Sequence, residues 1–380
     1  MRLLFIASDF DVGGITASLR NLTALLVGRG HDVSVLNLPK AESLPEGFDT
    51  RVRLVSLEGR ARLWNLSAED IKKASFFGKI KYAVLGVAKK LMNRSEAWQN
   101  FVFKKTRLEG YDAVIGFRQG PVPFYLASRK SCGAKKCGFW HGDVEYMGDI
   151  SSWDYYLSEL DALACVSNAV GDGMKKRYPD LSDRIYTVYN VFEIEDILAK
   201  AAQESVYSNG EFNLVTVSRV DFEFKQLQFI PEIAKRLKGL GKPFAWHIVG
   251  DGADREKLEQ LIKACGVEDC VILHGSKANP FPYVRDADLF VLTSLSESYG
   301  MVVVESLICG TPVVAGYYPA LPEVLDGDCG VIAENSTEGI YNAVKSVIED
   351  TELYKKIREG ARAYSYTPDV AYNQFLEMVK

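Results

Sequence analysis

The sequence predicts an α/β protein with two domains, each built around a doubly wound parallel sheet. The chain has 380 residues, which is about twice the length of an average domain. Residues 1–36 read as strand, glycine turn, helix and strand, the pattern of a parallel sheet with a crossover helix. The second half repeats this alternation, so we expect two such sheets in series.

The N-terminal strand–helix–strand unit is indicated by the spacing of its apolar residues. Leu3–Ala7 is a continuous apolar run, as expected of a strand that is buried on both faces. After Gly13-Gly14, apolar residues recur at helical spacing until Gly30 ends the predicted helix. The next strand is Val33–Leu36. The recurring apolar residues are Ile15, Leu19, Leu22 and Leu26.

The second half contains five predicted strands, with two predicted helices between the first three of them. The strands are Phe212–Val217, Phe244–Val249, Val271–Leu273, Leu289–Thr293 and Val313–Ala315, and the helices are Leu227–Leu240 and Leu258–Cys265. We therefore predict an N-terminal domain (1–192), a polar and weakly patterned linker (193–210), a C-terminal domain (211–363), and a final helix (364–380) that crosses back towards the first domain.

The composition is typical of a globular protein of the reducing cytosol. Hydrophobic residues make up 47% of the chain, and the net charge of −5 argues against general nucleic-acid binding. The seven cysteines form no Cys-x-x-Cys pair and the four histidines lie far apart in the sequence, so we expect neither a zinc site nor a disulfide framework. Leu3–Ala7 is too short for a signal peptide, and no apolar run reaches the roughly 18 residues of a membrane span.

The most informative motif follows the fourth predicted strand of the second half. It contains Glu297, Gly300 and Glu305, and it ends in Cys309-Gly-Thr-Pro312. The last glycine and proline are helix-stop signals, so we expect a helix from Gly300 to Cys309, although its three consecutive valines favour a strand. On spacing alone, two glutamates eight positions apart are also compatible with ordinary helix chemistry.

The start of this helix is suited to an anion. Backbone N–H groups in the first turn of a helix have no partner within the helix, and the helix dipole is positive there. We therefore expect the N–H groups of Ser298 to Met301 to form a diphosphate site.

The motif resembles the Glu-x7-Glu motif of the large retaining GT-B glycosyltransferase family known as family 4. Further segments fit the order and spacing of that family across about residues 212–330. They are Ser218-Arg219-Val220 through Lys225, Val249-Gly250-Asp251-Gly252, Leu273-His274-Gly275 and Ala287-Asp288-Leu289-Phe290-Val291. The resemblance implies the GT-B architecture, in which two Rossmann-like domains face each other across a ligand-binding cleft.

The resemblance also implies roles for individual residues. Glu297 would bind hydroxyls of the donor sugar, and Glu305 would bind the ribose of the nucleotide. Arg219 and Lys225 would bind the diphosphate and stabilise the charge that develops on the leaving group. The other donor-binding positions implied by the resemblance are Gly13, Gly14, Gly250, His274, Gly275, Ser298, Tyr299, Gly300 and Met301.

One departure from the family concerns the spacing of the two cations. Arg219 and Lys225 are six residues apart, whereas the family more often has five. The extra residue lengthens the loop, and we expect the long lysine side chain to reach the site nevertheless.

Candidates for the acceptor side lie in the N-terminal half. Gly13-Gly14 resembles the N-domain glycine loop of the family, and both a ligand contact and a simple tight turn are compatible with it. His141 resembles the N-domain histidine that faces the transferred sugar, and we expect it to be exposed at a strand end, with a structural role as the alternative. Arg118 and Asp143 are further acceptor-side candidates.

We expect neither a metal nor a cofactor. Asp-x-Asp triplets hold metal ions in GT-A enzymes, but the triplets that begin at Asp9, Asp286 and Asp326 are of a kind that is common by chance. Arg219 and Lys225 can supply the electrostatic stabilisation that a metal would give. The nucleotide sugar is a substrate rather than a cofactor.

Residues 72–107 form a basic stretch with ten lysines and arginines and one acid. Within it, apolar residues recur on one helical face, flanked by Lys79, Lys81 and Lys90. This pattern is compatible with an anionic membrane surface, with a helix packed on the N-terminal sheet, and with a basic rim for an anionic acceptor. The apolar residues are Phe76, Ile80, Val84, Val87 and Leu91.

The sequence thus predicts a metal-independent, retaining hexosyl- or hexosaminyltransferase that uses a UDP- or GDP-sugar, with UDP favoured. The expected acceptor is a glycan or lipid-linked hydroxyl in bacterial cell-surface polysaccharide synthesis, in the cytoplasm or at the inner face of the membrane. The alternatives are an isomerase similar to UDP-N-acetylglucosamine 2-epimerase, a non-catalytic sugar-binding partner of another transferase, and a soluble polymerase similar to glycogen synthase.

Overall fold

The chain folds into two compact units. The computed structural model describes residues 1–7, 10, 13–38, 43–57, 96–204, 206–207 and 211–380. The first unit contains Met1–Val191 together with Pro368–Lys380, and the second contains Phe192–Thr367. Residues 72–95 of the predicted basic stretch lie outside the described residues. Within the described ranges, no helix has the length and apolarity needed to cross a membrane.

The first unit is built on a parallel sheet. Its strands are β1 (Arg2–Ala7), β2 (Asp32–Asn37), β3 (Arg53–Val55), β4 (Leu108–Glu109), β5 (Ala113–Gly116), β6 (Ser131–Cys132), β7 (Lys135–Trp140), β8 (Ala162–Cys165) and β9 (Ile185–Thr187). Seven of them form one sheet in the order β3-β2-β1-β5-β7-β8-β9, and β4 pairs with β6. The described helices before the boundary are α1 (Gly14–Gly28), α2 (Glu96–Val102), α3 (Pro121–Lys130), α4 (Ser151–Ser158) and α5 (Asn168–Arg177).

The strand β1 is apolar throughout its centre because both faces of the sheet are covered. Leu3, Leu4, Phe5 and Ile6 are fully buried. Leu4 and Ile6 belong to one apolar cluster, and Leu3 and Phe5 belong to another, since successive side chains of a strand point to opposite faces. The first sheet therefore has a core on each side.

The second unit contains a six-stranded parallel sheet. Its strands are β10 (Phe212–Val217), β11 (Phe244–Val249), β12 (Val271–Gly275), β13 (Leu289–Leu292), β14 (Val313–Gly316) and β15 (Gly330–Ala333). Their order is β12-β11-β10-β13-β14-β15. The helices are α6 (Ile194–Ala201), α7 (Phe229–Lys238), α8 (Arg255–Cys265), α9 (Phe281–Asp286), α10 (Met301–Ile308), α11 (Thr337–Glu349) and α12 (Thr351–Ala363).

The structure confirms the predicted α/β class and the strands named from the sequence. β10 and β11 have the predicted bounds, and the other named strands differ from the prediction by at most two residues at either end. β10 and β13 are neighbours although two strands separate them in the chain. The strand order therefore reverses between them, which is the position where ligands bind in open α/β sheets.

Residues 193–210, predicted as a linker, are part of the second unit in the structure and contain the helix α6. Two acids in its first turn and Lys200 in its last turn complement the helix dipole. Ile197 and Ala201 are buried, and α6 packs against α9. The polar composition of the segment conceals this short amphipathic pattern.

The last helix, α13 (Asp369–Val379), packs in the core of the first unit. Phe375 is fully buried, and its ring stacks on Phe5 with 6.0 Å between the ring centroids. Val370 lies on the same helix and is 50% exposed. These two apolar side chains therefore distinguish the buried face of α13 from its solvent face.

Phe375→Ala should lower the free energy of unfolding of the first unit by about 3–5 kcal/mol, because it leaves a cavity in the core. Val370→Ala is the matched control on the same helix and should change this free energy by less than about 0.5 kcal/mol. Urea unfolding followed by tryptophan fluorescence measures both values. Equal effects of the two substitutions would contradict the docking of α13 in the core.

Candidate functional site

The candidate site lies at the ends of the neighbouring strands β10 and β13. These strands run parallel, with Leu214 opposite Leu289 and Val215 opposite Phe290. The hydroxyl of Thr216 in β10 also donates to the backbone of β13 over 2.7 Å. The loops that follow the two strands therefore leave the sheet side by side.

Hydrogen bonds tie these two loops together. The Thr293 hydroxyl donates to the Lys225 carbonyl over 2.6 Å, and the Leu295 N–H donates to the Phe224 carbonyl over 2.8 Å. Asp221 in turn accepts the Phe224 N–H at 2.9 Å. Although the two predicted cations are one residue further apart than is usual in the family, these hydrogen bonds hold Lys225 beside the loop that follows β13.

Lys225 and Glu297 form an ion pair at this point. The Lys225 Nζ lies 2.5 Å from Glu297 Oε1, and the side chains are only 19% and 18% exposed. The Ser294 hydroxyl donates to the same carboxylate oxygen over 2.8 Å. The structure thus brings together two of the predicted catalytic residues, in surroundings where charges interact more strongly than in bulk water.

The predicted helix from Gly300 to Cys309 is present as α10, which begins at Met301. Gly300 is its N-cap residue and has a left-handed conformation with a φ of +86°. Among the described residues, no side chain caps this helix, and its first turn contains no acid. The helix start therefore offers backbone N–H groups and the positive end of its dipole to an anion. Ser298 is partly exposed there, whereas Tyr299 is buried.

Tyr318 fills the space behind Gly300. A Cβ atom at position 300 would overlap the Tyr318 hydroxyl, so the space as well as the left-handed conformation requires glycine. Within the described part of the chain this buried hydroxyl has no hydrogen-bond partner. Burial, followed by the nearby Glu297 carboxylate, raises the pKa of Tyr318 well above its ordinary value. No motif in the sequence marks Tyr318, so its role could not be predicted.

Arg219 stands apart from the ion pair. Its side chain is 72% exposed, and its guanidinium lies 3.7 Å from the Asp221 carboxylate. Of the two predicted cations, Lys225 is therefore fixed by its neighbours, whereas Arg219 extends into solvent.

Glu305 lies in α10 and is partly exposed. Burial, with a further contribution from Glu305, raises the pKa of the nearby Cys309 thiol to about 12. Glu305 therefore lies on the same helix whose N-terminus adjoins Glu297.

Asn335 is a supporting residue that the sequence analysis missed. Its Nδ2 donates to the Ser294 carbonyl over 2.8 Å and to the Tyr317 carbonyl over 3.0 Å. It therefore joins the loop after β13 to the loop after β14. Its Oδ1 is buried and has no partner among the residues that the structure describes.

Two predicted glycines allow the ends of β10, β11 and β12 to approach each other closely. Gly250 has a φ of +147°, and its N–H donates to the Gly275 carbonyl over 2.9 Å. A Cβ atom on Gly250 would overlap the Ser218 carbonyl. Gly275 is left-handed, with a φ of +68°. The glycines therefore shape the edge of the sheet from which the candidate loops leave.

The predicted donor-site residue His274 contacts a second histidine, which the sequence analysis missed. Its Nε2 lies 2.9 Å from Nδ1 of His247, and the Nε2 of His247 lies 3.2 Å from Asn213 Oδ1. Burial, followed by the charge of His274, lowers the pKa of His247 to about 4. These two histidines are distant in the sequence, but the adjacent strands β11 and β12 bring them side by side.

The candidates in the first unit occupy different local environments. Gly13 has a φ of 169°, which is extended backbone open to any residue, and a Cβ atom there would meet no described atom within 4 Å. Gly14 begins α1. Arg118 is partly buried. Asp143 accepts the Glu145 N–H over 3.0 Å at the start of a short 3-10 turn.

The expectation that His141 is exposed is wrong. Its side chain is buried, with 8% of the residue exposed, and Nε2 lies 2.8 Å from the Phe117 carbonyl. Because a carbonyl only accepts hydrogen bonds, Nε2 carries the proton. Burial lowers the pKa of His141 to about 4, with Arg118 adding to the effect and the hydrogen bond to Phe117 opposing it.

His141 should make the first unit less stable as the pH falls from 6.5 towards 4. The unfolded chain binds a proton at His141 near pH 6.5, whereas the folded chain binds it only near pH 4. The contribution of neutral His141 to the free energy of unfolding is therefore fully present above pH 6.5 and is lost as the pH falls. The expected slope is at most about 1.4 kcal/mol per pH unit. His141→Gln keeps a donor for Phe117 and should flatten the slope in urea unfolding at pH 7 and pH 5; an unchanged slope would refute the assignment.

Gly300→Ala should lower the free energy of unfolding of the second unit by about 2–4 kcal/mol, through left-handed strain and overlap with Tyr318. Combining it with Tyr318→Phe removes the overlapping oxygen and should recover roughly 1 kcal/mol, leaving the backbone strain in place. Tyr318→Phe alone is the control that completes the double-mutant cycle in urea unfolding. Strict additivity of the two substitutions would show that the overlap has no energetic weight.

The comparisons with known proteins agree with this geometry. The family described as "Glycosyl transferases group 1" matches residues 200–364. The chain is 23% identical over 370 residues to the D-inositol 3-phosphate glycosyltransferase of Xylanimonas cellulosilytica, covering 93% of this chain and 88% of that protein. It is 33% identical over 237 residues to the N-acetyl-alpha-D-glucosaminyl L-malate synthase of Bacillus anthracis, covering 60% and 61% of the two chains.

A solved structure extends the similarity to the whole chain. A variant of S. aureus TarM, in complex with fondaparinux, alpha-GlcNAc-glycerol and UDP, superposes with a TM-score of 0.74 at 15% identity, covering 100% of both chains. These findings lead to two conclusions: residues 200–364 are similar to the group 1 glycosyltransferases, and the whole chain has the GT-B fold.

Proposed function

We propose that the chain transfers a hexosyl or hexosaminyl group from a UDP-sugar to a hydroxyl of a glycan or lipid-linked acceptor, with retention of anomeric configuration. The observation that carries the proposal is the Lys225–Glu297 ion pair in the loops next to Gly300, the N-cap residue of α10. This arrangement supplies a cation and a helix N-terminus for a diphosphate, and a carboxylate for sugar hydroxyls. UDP is favoured because the similar TarM structure contains it.

The proposed reaction breaks the bond between the anomeric carbon and the β-phosphate oxygen. The electron pair of that bond stays on the diphosphate, while the acceptor oxygen bonds to the same carbon and loses its proton. Lys225 and the start of α10 stabilise the negative charge where it develops. We further propose that Arg219 folds onto the diphosphate, and that these cations take the place of a metal ion.

Retention requires departure and attack on the same face of the sugar in this proposal. The leaving phosphate then accepts the proton of the acceptor hydroxyl. His141 keeps a positioning role here, because its Nε2 is held by the Phe117 carbonyl and its lowered pKa keeps the ring neutral. We also propose that the product is a cell-surface glycan and that the basic stretch contacts an anionic membrane.

Arg219→Ala should reduce turnover about 10- to 150-fold, because it removes a charge-assisted hydrogen bond worth roughly 1.5–3 kcal/mol at the leaving group. The side chain is exposed, so the free energy of unfolding should change by less than about 0.5 kcal/mol. Lys356→Ala, at another exposed cation of the same unit, is the matched control and should leave turnover unchanged. Steady-state transfer assays measure both variants.

The substrate for these assays comes from a thermal-stabilisation screen of UDP- and GDP-sugars. A donor at about 100 times its dissociation constant should add about 2.7 kcal/mol to the stability. Wild-type turnover in Arg219→Ala would contradict the diphosphate assignment. Conversion of the donor to an epimer without an acceptor would favour an isomerase instead.

A further inference from the structure

The carboxylate of Glu297 lies close to the position that the proposed function gives to the diphosphate. Its Oε1 is 2.5 Å from the Lys225 Nζ, and a phosphate oxygen bound by the same ammonium would lie about 2.8 Å from it. The two oxygens are then at most about 5.3 Å apart. A carboxylate and a diphosphate at this separation repel each other.

Both members of the ion pair are held in place, so the carboxylate has little freedom to move away. The Ser294 hydroxyl binds Glu297 Oε1 at 2.8 Å, and Asn335 holds the Ser294 carbonyl at 2.8 Å. The Lys225 carbonyl is bound by Thr293 at 2.6 Å. Less than a fifth of either charged side chain is exposed, which limits screening by solvent and salt.

An intact donor and the diphosphate product should experience this carboxylate differently. The sugar of the donor carries hydroxyl groups that can donate hydrogen bonds to Glu297, and these bonds offset the repulsion. After transfer, the diphosphate keeps its negative charge but has lost the sugar and its hydroxyls. The same carboxylate then opposes binding without compensation.

We propose that Glu297 makes the site select the sugar-bearing donor over the diphosphate product, and that it thereby promotes product release. This inference rests on the proposed function, because it assumes that Lys225 binds the diphosphate. In this inference Glu297 repels the diphosphate product and binds the sugar of the donor. The preference for the donor over the product comes from the repulsive and the attractive interaction together.

Calorimetric titration of UDP and of the donor found in the screen tests this inference. Glu297→Gln removes the charge with little change in shape and should bind UDP about tenfold more tightly than the wild type, a change of about 1.4 kcal/mol. Binding of the donor should gain less than tenfold, because the amide is a weaker acceptor for sugar hydroxyls. The ratio of the two dissociation constants therefore shifts towards UDP, and the inhibition constant of UDP falls.

Two controls separate charge from shape. Glu297→Asp keeps the charge and should bind UDP as the wild type does, whereas Glu338→Gln removes a carboxylate that pairs with Arg236 elsewhere in the second unit and should change nothing. Equal tightening in Glu297→Gln and Glu297→Asp, or no tightening in Glu297→Gln, would overturn the inference while leaving the proposed function intact. Failure of the wild type to bind UDP, GDP or any sugar nucleotide would overturn both.

Discussion

The pairing of β10 with β13 is the constraint on which the candidate site depends. Because these strands are neighbours in the sheet but not in the chain, the loops that carry Lys225 and Glu297 leave the same edge side by side. The Thr293 hydroxyl then fixes the Lys225 carbonyl, and the ion pair forms between the loops. If β10 and β13 were not neighbours in the sheet, Lys225 and Glu297 would be too far apart to form this ion pair.

The electrostatic character of the site follows from this arrangement. The Lys225 ammonium group and the positive end of α10 lie close together in adjoining loops, and the Glu297 carboxylate neutralises the ammonium. Two supporting residues lower the stability of the fold, because the Tyr318 hydroxyl and Asn335 Oδ1 are buried without hydrogen-bond partners in the described structure. A buried polar atom without a partner costs roughly 1–3 kcal/mol. Such costs are typical of sites where function constrains the packing.

The sequence predicted those parts of the fold that depend on local patterns. The strands β10 and β11 follow from short segments that are mostly apolar and rich in β-branched and aromatic residues, and α10 follows from its stop signals in spite of its valines. Burial outweighs their strand preference, since Val303 and Val304 are fully buried, and Gly310 ends the segment with a φ of +76°. The helix α6 was missed because it is only 8 residues long and lies in a segment that is otherwise polar.

Features that arise from strand order or packing could not be predicted in this way. The contact between His247 and His274 depends on which strands pair, and nothing in the local sequence reports that. The burial of His141 depends on two aromatic rings, Phe117 directly after β5 and Phe139 in β7, whose centroids lie 4.7 Å and 5.7 Å from the centroid of its ring. A strand-end position indicates where a residue lies, but it does not indicate how much neighbouring side chains cover it.

The spacing of the two cations shows how the fold accommodates a departure from a motif. Gln226, directly after Lys225, has a φ of +50°, and no other non-glycine residue in the described ranges has a positive φ. A left-handed non-glycine residue costs roughly 1–2 kcal/mol. The longer loop therefore ends in a strained residue, while the Lys225 carbonyl stays bound to Thr293. The structure keeps the hydrogen bond that holds the Lys225 backbone rather than the usual distance in sequence from Arg219, so the loop after β13 sets the backbone position of the lysine.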